Sequence, residues 1–283
     1  MSSPNEGPTV AATATTVGTS NLHRWLAPVS DAAWGEIAEE ARRTFRRNSA
    51  ARRVVDVTGP LGLEAAAANT GHLSTIDPPR PGIRSRLREV APLVELRVPF
   101  SVSRAAVDDV LRGAQDSDWQ PVKDAATALA RAEDAAVFQG YAAAQVRGIA
   151  PASSNEPITL PADARELPEV VAHALTELRL AGVEGPYALV LDADVHTEAS
   201  ETRDHGYPIR TQLEQLVEQV VWAPALSGGC LLSTRGGDYE MVLGQDVSIG
   251  YTSHTGEDVE LYLQESLTFL THTDEASVVL VRP

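Results

Sequence analysis

The sequence predicts an α+β protein, in which helices and strands are grouped along the chain. Apolar residues recur with a helical period in segments 30–47 and 117–147, whereas five short segments between 239 and 281 alternate as strands do. The 283 residues are 43% apolar and 22% charged. Such a chain can form one large or two modest packed domains without cross-links.

Charge and cysteine content exclude several classes of protein. The chain carries 23 basic and 39 acidic side chains, a net charge of −16, and most of the excess lies beyond residue 100. Because such a surface repels phosphates, we expect no nucleic-acid partner. The single cysteine, Cys230, rules out an internal disulfide and a thiolate metal cluster, and we expect it to be buried in a strand.

The N-terminus shows no targeting or membrane signal. No apolar run approaches the roughly 18 residues of a transmembrane helix, and a secretory leader pattern is missing. We therefore expect a cytoplasmic protein with no membrane partner. Residues 1–20 are polar and carry one charged side chain, so we predict a disordered extension with order beginning near Asn21.

The first helix is predicted after the N-cap residue Ser30. Its apolar face comprises Trp34, Ile37, Ala38, Ala41 and Phe45. Its early acidic residues and its late arginines, Arg42, Arg43, Arg46 and Arg47, complement the helix dipole. These arginines either form a face that binds RNA or a partner, or are simply a solvated helix end, and the sequence favours the second reading.

A strand is predicted at 54–57, and segment 60–93 follows without a sustained helical face. Its glycines and the Asp77–Gly82 turn suggest a long projecting hairpin. A compact monomer has little use for such an arm, because its apolar residues can be buried only on a neighbour. This is the first indication of oligomerisation.

The centre of the chain combines both kinds of element. We predict a strand at 93–100, a short helix from Ser103 to Gly113 and a long helix over 117–147 that Gly148 ends. In the following region, 151–243, helix Leu167–Ala181, strand Tyr187–Leu191 and helix Ile209–Val221 suggest an inserted mixed domain. The tail is predicted as strands 239–243, 247–251, 259–263, 267–271 and 277–281.

The common signatures of nucleotide cofactors and covalent catalysis are missing from the sequence. The strongest remaining cluster is a polar loop over 192–205, after a buried strand, where a metal-dependent enzyme could place its site. Its ionisable residues are Asp192, Asp194, His196, Glu198, Glu201, Asp204 and His205. Their spacing matches no ligand pattern, and a solvated loop is the favoured reading. Similarly, Arg235–Asp238 is either an anion-binding turn or, as we favour, a glycine turn opening a strand.

Several motifs in order nevertheless resemble one family, the family 1 encapsulin shell proteins, formerly the linocin-like bacteriocins, and their actinobacterial members above all. They cover about residues 21–281 and include Asn21–Pro28, Arg52–Val57, Pro92–Arg97, Glu184–Tyr187, His205–Pro208, Arg235–Asp238 and Gly244–Tyr251. The resemblance implies the tailed-phage major capsid protein fold, with a peripheral domain, an axial domain and an extended loop. The implied divisions are an extension at 1–20, the N-terminal helix and start of the peripheral domain at 21–59, the extended loop at 60–93, the peripheral domain with its spine helix at 94–150, the axial domain at 151–243, and peripheral C-terminal strands at 244–283.

The resemblance also implies a function. About sixty copies would close into an icosahedral shell that is not itself an enzyme and needs no cofactor or metal. The shell would enclose a cargo protein, a dye-decolourising peroxidase or else a ferritin-like protein, held by the cargo's C-terminal targeting peptide. A phage-type capsid protein is the alternative within the same fold, and an enzyme using loop 192–205 is a distant third.

Two sets of site residues follow from aligning these motifs. Phe45, Arg52, Asp56, Asp246 and Ile249 fall at positions resembling the cargo-peptide groove, although Arg52 and Asp56 could instead form a mutual salt bridge. The segment 192–205 falls where the family lines its five-fold opening. The implied pore residues are His196, Glu198, Glu201, Asp204 and His205.

Overall fold

The computed structural model describes residues 21–283, so the predicted disordered extension 1–20 lies outside the described residues. The α-helices of the described chain are α1 (Asp31–Asn48), α2 (Arg104–Leu111), α3 (Gln120–Phe138), α4 (Ile149–Ala152), α5 (Leu167–Leu180), α6 (Ala193–Glu201) and α7 (Ile209–Leu216). Its strands are β1 (Asp56–Thr58), β2 (Ala67–Ile76), β3 (Ser85–Pro92), β4 (Val94–Ser103), β5 (Ile158–Thr159), β6 (Tyr187–Leu191), β7 (Arg203–Asp204), β8 (Tyr207–Pro208), β9 (Gln219–Trp222), β10 (Gly229–Ser233), β11 (Tyr239–His254), β12 (Asp258–Thr271) and β13 (Ser277–Val281).

The first layer pairs a four-stranded sheet with two long helices. The sheet has the order β1-β11-β12-β4, and α1 and α3 pack together over it. The predicted cap of α1 is confirmed, since the Ser30 hydroxyl accepts a hydrogen bond from the Ala33 amide. The predicted apolar face is buried at Trp34, Ile37 and Phe45, in a core that also contains Val122 and Leu129 of α3.

The predicted projecting arm is a two-stranded antiparallel hairpin of β2 and β3. Both strands are exposed along most of their length. Its exposed apolar side chains are Leu73, Ile76, Ile83, Leu87 and Val90. A two-stranded ribbon of this kind is marginally stable alone in water, so the arm is suited to packing against another surface.

The second layer is a mixed five-stranded sheet of order β5-β13-β10-β6-β9, covered by helices that include α5 and α7. Strand β6 is buried at Ala188–Leu191, as its continuous apolar run predicts. Cys230 lies in β10 and is buried, which confirms the expectation of a thiol buried in a strand. Burial raises the pKa of the Cys230 thiol to about 12, so it stays protonated.

Three predicted elements differ in the structure. The long helix covers 120–138 and not 117–147, because the chain turns at Gly140, which has a positive φ of 87°. The predicted helix 209–221 ends at Leu216, and β9 follows it. The predicted strand 54–57 forms only at 56–58, since a 3₁₀ turn occupies Ala51–Arg53.

The tail also departs from its predicted layout. Four of its predicted strands merge into the long strands β11 and β12, whose pairing is interrupted by bulges near Gln245 and not by turns. The last strand, β13, pairs with β10 in the five-stranded sheet. Segment 244–283 therefore contributes strands to both sheets.

Candidate functional site: a groove beside the N-terminal helix

A groove of about 870 Å³ lies between α1 and the middle of β11. Its apolar lining comes from Leu22, Ala38, Ala41, Phe45, Val247, Ile249 and Leu263. Its polar lining comes from Arg24, Arg42, Arg46, Ser49, Arg52, Arg53, Asp246 and Ser248. Four of the five residues predicted for a peptide groove, Phe45, Arg52, Asp246 and Ile249, are thus brought together here.

Arg52 organises one end of the groove. Its guanidinium donates to Glu133 Oε2 at 2.8 Å, to Glu265 Oε2 at 2.9 Å and to Asp246 Oδ1 at 2.7 Å. Its central carbon lies 4.8 Å from the centre of the Phe45 ring. Burial alone would lower the pKa of Arg52, but the charge of Glu133 and the hydrogen bonds to Glu133 and Asp246 outweigh it and hold the pKa above its ordinary value. Arg52 is therefore a permanent cation in the wall.

Glu133 and Glu265 lie beneath this wall, and both side chains are fully buried. Burial, and then the charge of Glu133, hold the pKa of Glu265 well above its usual range. One guanidinium faces three carboxyl groups, so keeping a proton on Glu265 reduces the uncompensated buried charge. The end of the groove is a shared-charge cluster and not a simple ion pair.

The sequence reasoning missed these two carboxyl groups, although a signal was present. Glu133 stands four residues after Leu129, on the apolar stripe of α3. Glu265 stands two residues before Leu267 and shares its side of β12. A charged residue on an otherwise apolar face indicates a buried partner, which here is Arg52.

The structure does not place Asp56 in the groove. Asp56 begins β1 and lines a separate small cavity beside the 233–239 turn. Its carboxylate accepts a hydrogen bond of 2.6 Å from the Gly237 amide. Arg235 pairs with Asp238 across the same turn at 2.9 Å, so the segment Arg235–Asp238 is a glycine turn held by carboxylates of the chain itself. The suggested Arg52–Asp56 salt bridge is replaced by the three partners of Arg52.

The five predicted pore residues lie on α6 and on the β7–β8 hairpin that follows. Glu198, Glu201 and His205 are exposed, whereas His196 and Asp204 are half-buried. Burial, and then the positive charge of Arg210, lower the pKa of His196, so it is neutral at pH 7. The structure thus places three carboxylates and two histidines on neighbouring elements.

The predicted acidic loop is in fact a helix over most of its length. Asp192 caps α6 by accepting from the Val195 amide at 2.9 Å, and it also accepts from the Gly228 amide and pairs with Arg282. Its carboxylate is therefore committed to holding the fold. Within residues 21–283, no group of three or more His, Cys, Asp or Glu side chains is placed to hold a metal ion.

A second charged feature adjoins the groove. A cavity of about 440 Å³ is lined by Glu39 and by five arginines. We call these the arginine face: Arg42, Arg43, Arg46, Arg47 and Arg53. Arg53 is held in place because its guanidinium donates to the carbonyl oxygens of Arg46 and Arg47 at 3.1 and 3.3 Å. Arg42, Arg46 and Arg53 line both this cavity and the groove.

Solved structures share the architecture. A virus-like particle from Pyrococcus furiosus superposes with a TM-score of 0.61 over 87% of this chain and 98% of its own, at 16% identity. A chain of Mycobacterium phage Ogopogo gives a TM-score of 0.57 over 84% of this chain and 93% of its own, at 13% identity. The fold is that of tailed-phage major capsid proteins, as the sequence resemblance implied. In the described part of the chain, no helix has the length and apolar character needed to cross a bilayer.

Comparison of the sequence identifies the family more specifically than comparison of the fold does. The family described as "encapsulating protein for peroxidase" matches residues 19–268. Type 1 encapsulin shell proteins of Rhodococcus erythropolis and Mycobacterium tuberculosis are 58% and 57% identical to this chain, and each match covers 92% of this chain and 99% of the relative. The resemblance in the motifs therefore extends over nearly the whole chain, and the protein belongs to the family of type 1 encapsulin shell proteins.

Proposed function

We propose that this chain is the subunit of a self-assembling icosahedral shell of about sixty copies, a compartment in the cytoplasm that holds a cargo enzyme. The observation that carries this proposal is the β2–β3 hairpin. It presents Leu73, Ile76, Leu87 and Val90 to solvent on a ribbon whose two strands pair with no further strand within residues 21–283. Exposed apolar surface of this kind is covered by association, and a capsid fold provides a neighbouring copy to cover it.

Assembly is tested by the particle size of the purified chain. We expect negative-stain imaging to show closed hollow particles, and Leu73→Asp with Leu87→Asp to leave only small species. Thr75→Asp is the matched control, because Thr75 is an exposed polar residue of the same strand. Closed particles from the double aspartate variant would contradict the role given to the hairpin, and particles filled with DNA would favour the phage-type capsid instead.

The groove beside α1 is proposed as the seat of the cargo's C-terminal targeting peptide. Support comes from its size and from the apolar strip of Phe45, Val247 and Ile249 beside charged Arg52 and Asp246. An aliphatic anchor that becomes fully buried on such a strip contributes about 1.5–3 kcal/mol. The family description makes a peroxidase the favoured cargo, and we propose the dye-decolourising type before a ferritin-like protein.

The α6 region is proposed as the lining of the five-fold opening. His196, Glu198, Glu201, Asp204 and His205 would then set a negative potential around a pore that admits small molecules. Rings of carboxylates favour cations and retard anions, so the role is selective and not catalytic. The exposure of Glu198 and Glu201 on one helix supports this reading.

A further inference from the structure

The arginine face has an unusual composition for this chain. The protein carries a net charge of −16 and contains 23 basic residues in all, yet five of them surround one cavity. Arg42 and Arg43 are paired with Glu39 and Glu40. Within the described residues, the exposed Arg46 and Arg47 form no ion pair with a carboxylate. The face therefore keeps positive charge that its own helix does not neutralise.

The face is continuous with the groove. Arg42 and Arg46 project from the turns of α1 that carry Ala41 and Phe45, and Arg53 follows directly after Arg52. A polypeptide segment whose aliphatic residues occupy the groove lies next to these guanidinium groups, because Arg42, Arg46 and Arg53 line both the groove and the arginine face. Its flanking residues therefore pass through a positive field at short range, where opposite charges attract and like charges repel.

The spacing of the guanidinium groups indicates what such a segment should carry. The pairs Arg42/Arg46 and Arg43/Arg47 are each four residues apart, which is about 6 Å along a helix. In an extended peptide, side chains on one side recur about every 6.6 Å, the rise of two residues. Two carboxylates separated by one residue therefore match two arginines one turn apart.

A peptide fits this surface better than a nucleic acid does. The aromatic ring that lines the groove, Phe45, has Arg52 over one face and is almost fully buried, so it is not available for base stacking. The apolar groove next to the arginines suits aliphatic side chains and not bases.

We propose that the arginine face recognises acidic residues flanking the aliphatic anchors of the docked segment, with acidic residues at alternate positions. This inference rests on the proposed function, because it names the chemistry of the partner that the groove holds.

The experiment is a competition for loading inside one cell. The chain is co-expressed with a green and a red fluorescent protein that carry C-terminal tails of equal length. Both tails contain three leucines at alternate positions, flanked on each side by Asp-Ser-Asp in the green reporter and by Asn-Ser-Asn in the red one. The ratio of green to red per purified particle is measured, and the tails are then exchanged between the colours.

We expect the acidic tail to be loaded about tenfold over the neutral one, the factor for a few exposed ion pairs acting together. In the double variant Arg46→Gln with Arg47→Gln, the ratio of acidic to neutral tail per particle should fall close to one, and particles should still form. The matched control is Arg165→Gln with Arg179→Gln, which removes two exposed arginines at the other layer and should keep the ratio.

The other outcomes are also decisive. An equal loading of both tails, or an excess that survives Arg46→Gln with Arg47→Gln, overturns the inference and leaves the shell function standing. Co-purifying RNA that disappears in the same variant would assign the face to nucleic acid and overturn it as well. Particles of the unchanged chain that load neither tail would contradict both the peptide groove and the inference. If the unchanged chain formed no particles at all, the proposed function itself would be contradicted.

Discussion

The guanidinium of Arg52 lies over the ring of Phe45, with 4.8 Å between its central carbon and the ring centroid. The same guanidinium is the cation for the fully buried Glu133 and Glu265. Arg52 is therefore held in the wall of the groove both by its ion pairs with Glu133 and Glu265 and by its packing against the Phe45 ring. The shape of the groove and the stability of the fold depend on the same side chain.

Arg52→Gln should destabilise the folded subunit by about 3 kcal/mol, because it leaves two buried carboxyl groups without a cation. Chemical denaturation of the dissociated subunit measures this loss. Adding Glu265→Gln to that variant removes one of the two carboxyl groups and should restore part of the stability. If the double variant is less stable than Arg52→Gln alone, the shared-charge account of this cluster is wrong.

Phe45→Ala and Val247→Asp should both yield assembled shells that co-purify with little cargo, since the first removes an apolar contact and the second places a charge in the apolar strip of the groove. The amount of cargo per particle is the measurement. Thr252→Asp places the same charge on an exposed position of β11 outside the groove lining and should load normally. Undiminished loading of Phe45→Ala and Val247→Asp shells would rule out the groove as the docking site. Ile249→Asp is a less suitable test because it would place a charge at an almost fully buried position and so destabilise the fold itself.

Asp134 should make the stability of the subunit depend on pH. Burial raises the pKa of Asp134 from 3.8 to about 7, against the opposing hydrogen bonds from the Ala51 and Ala50 amides. Between these two values the unfolded chain has released the proton that the folded chain keeps. The contribution of Asp134 is therefore fully present below the lower pKa and is lost as pH rises towards 7, by at most about 1.4 kcal/mol per pH unit.

Asp134→Asn removes this titration while retaining an oxygen that can accept from the two amides. The free energy of unfolding of the unchanged protein, taken relative to this variant, should decrease between pH 4.5 and pH 7. Urea denaturation at a series of pH values gives both curves. Parallel curves would show that Asp134 titrates alike in the folded and unfolded chain.

Replacement of Glu198, Glu201 and Asp204 by their amides should speed the entry of a small anionic dye into the particle and change the entry of a neutral dye of the same size much less. The control is Glu169→Gln with Glu177→Gln, which removes carboxylates from α5. Time-resolved quenching of the dye by a loaded reporter measures entry. An unchanged rate for the anionic dye would remove these carboxylates from the proposed pore.

Much of the fold could be predicted because its helices and strands differ in period. The failures have physical causes. Val217, Val220 and Val221 continue the helical spacing of α7, yet a β-branched run beside β6 gains parallel pairing, which local spacing does not reveal. In α6 only Val195 and Ala199 are buried, so the helix depends on its Asp192 cap and on tertiary contacts that the sequence does not display.

The residues of the candidate site could be predicted from the sequence only in part. Phe45 and Ile249 fall on apolar faces, and the motif resemblance brings them together although about 200 residues separate them. Asp56 lies only four residues after Arg52, but the 3₁₀ turn at Ala51–Arg53 and the start of β1 direct it to the 233–239 turn. Proximity in sequence was therefore a poor guide to the groove at the point where the chain changes from helix to strand.

The position of strand β13 has a consequence for the order in which parts of the protein fold. It lies between β5 and β10, so the second sheet remains divided until residues 277–281 have been synthesised. Pairings between distant parts of a chain form late, because the intervening loop must first be closed. The hairpin at 67–92 pairs strands that are close in sequence, whereas β13 pairs with β5 from Leu280 to Ile158, about 120 residues away. The hairpin can therefore form before the second sheet does, which makes closure of that sheet a later step in the folding of the subunit.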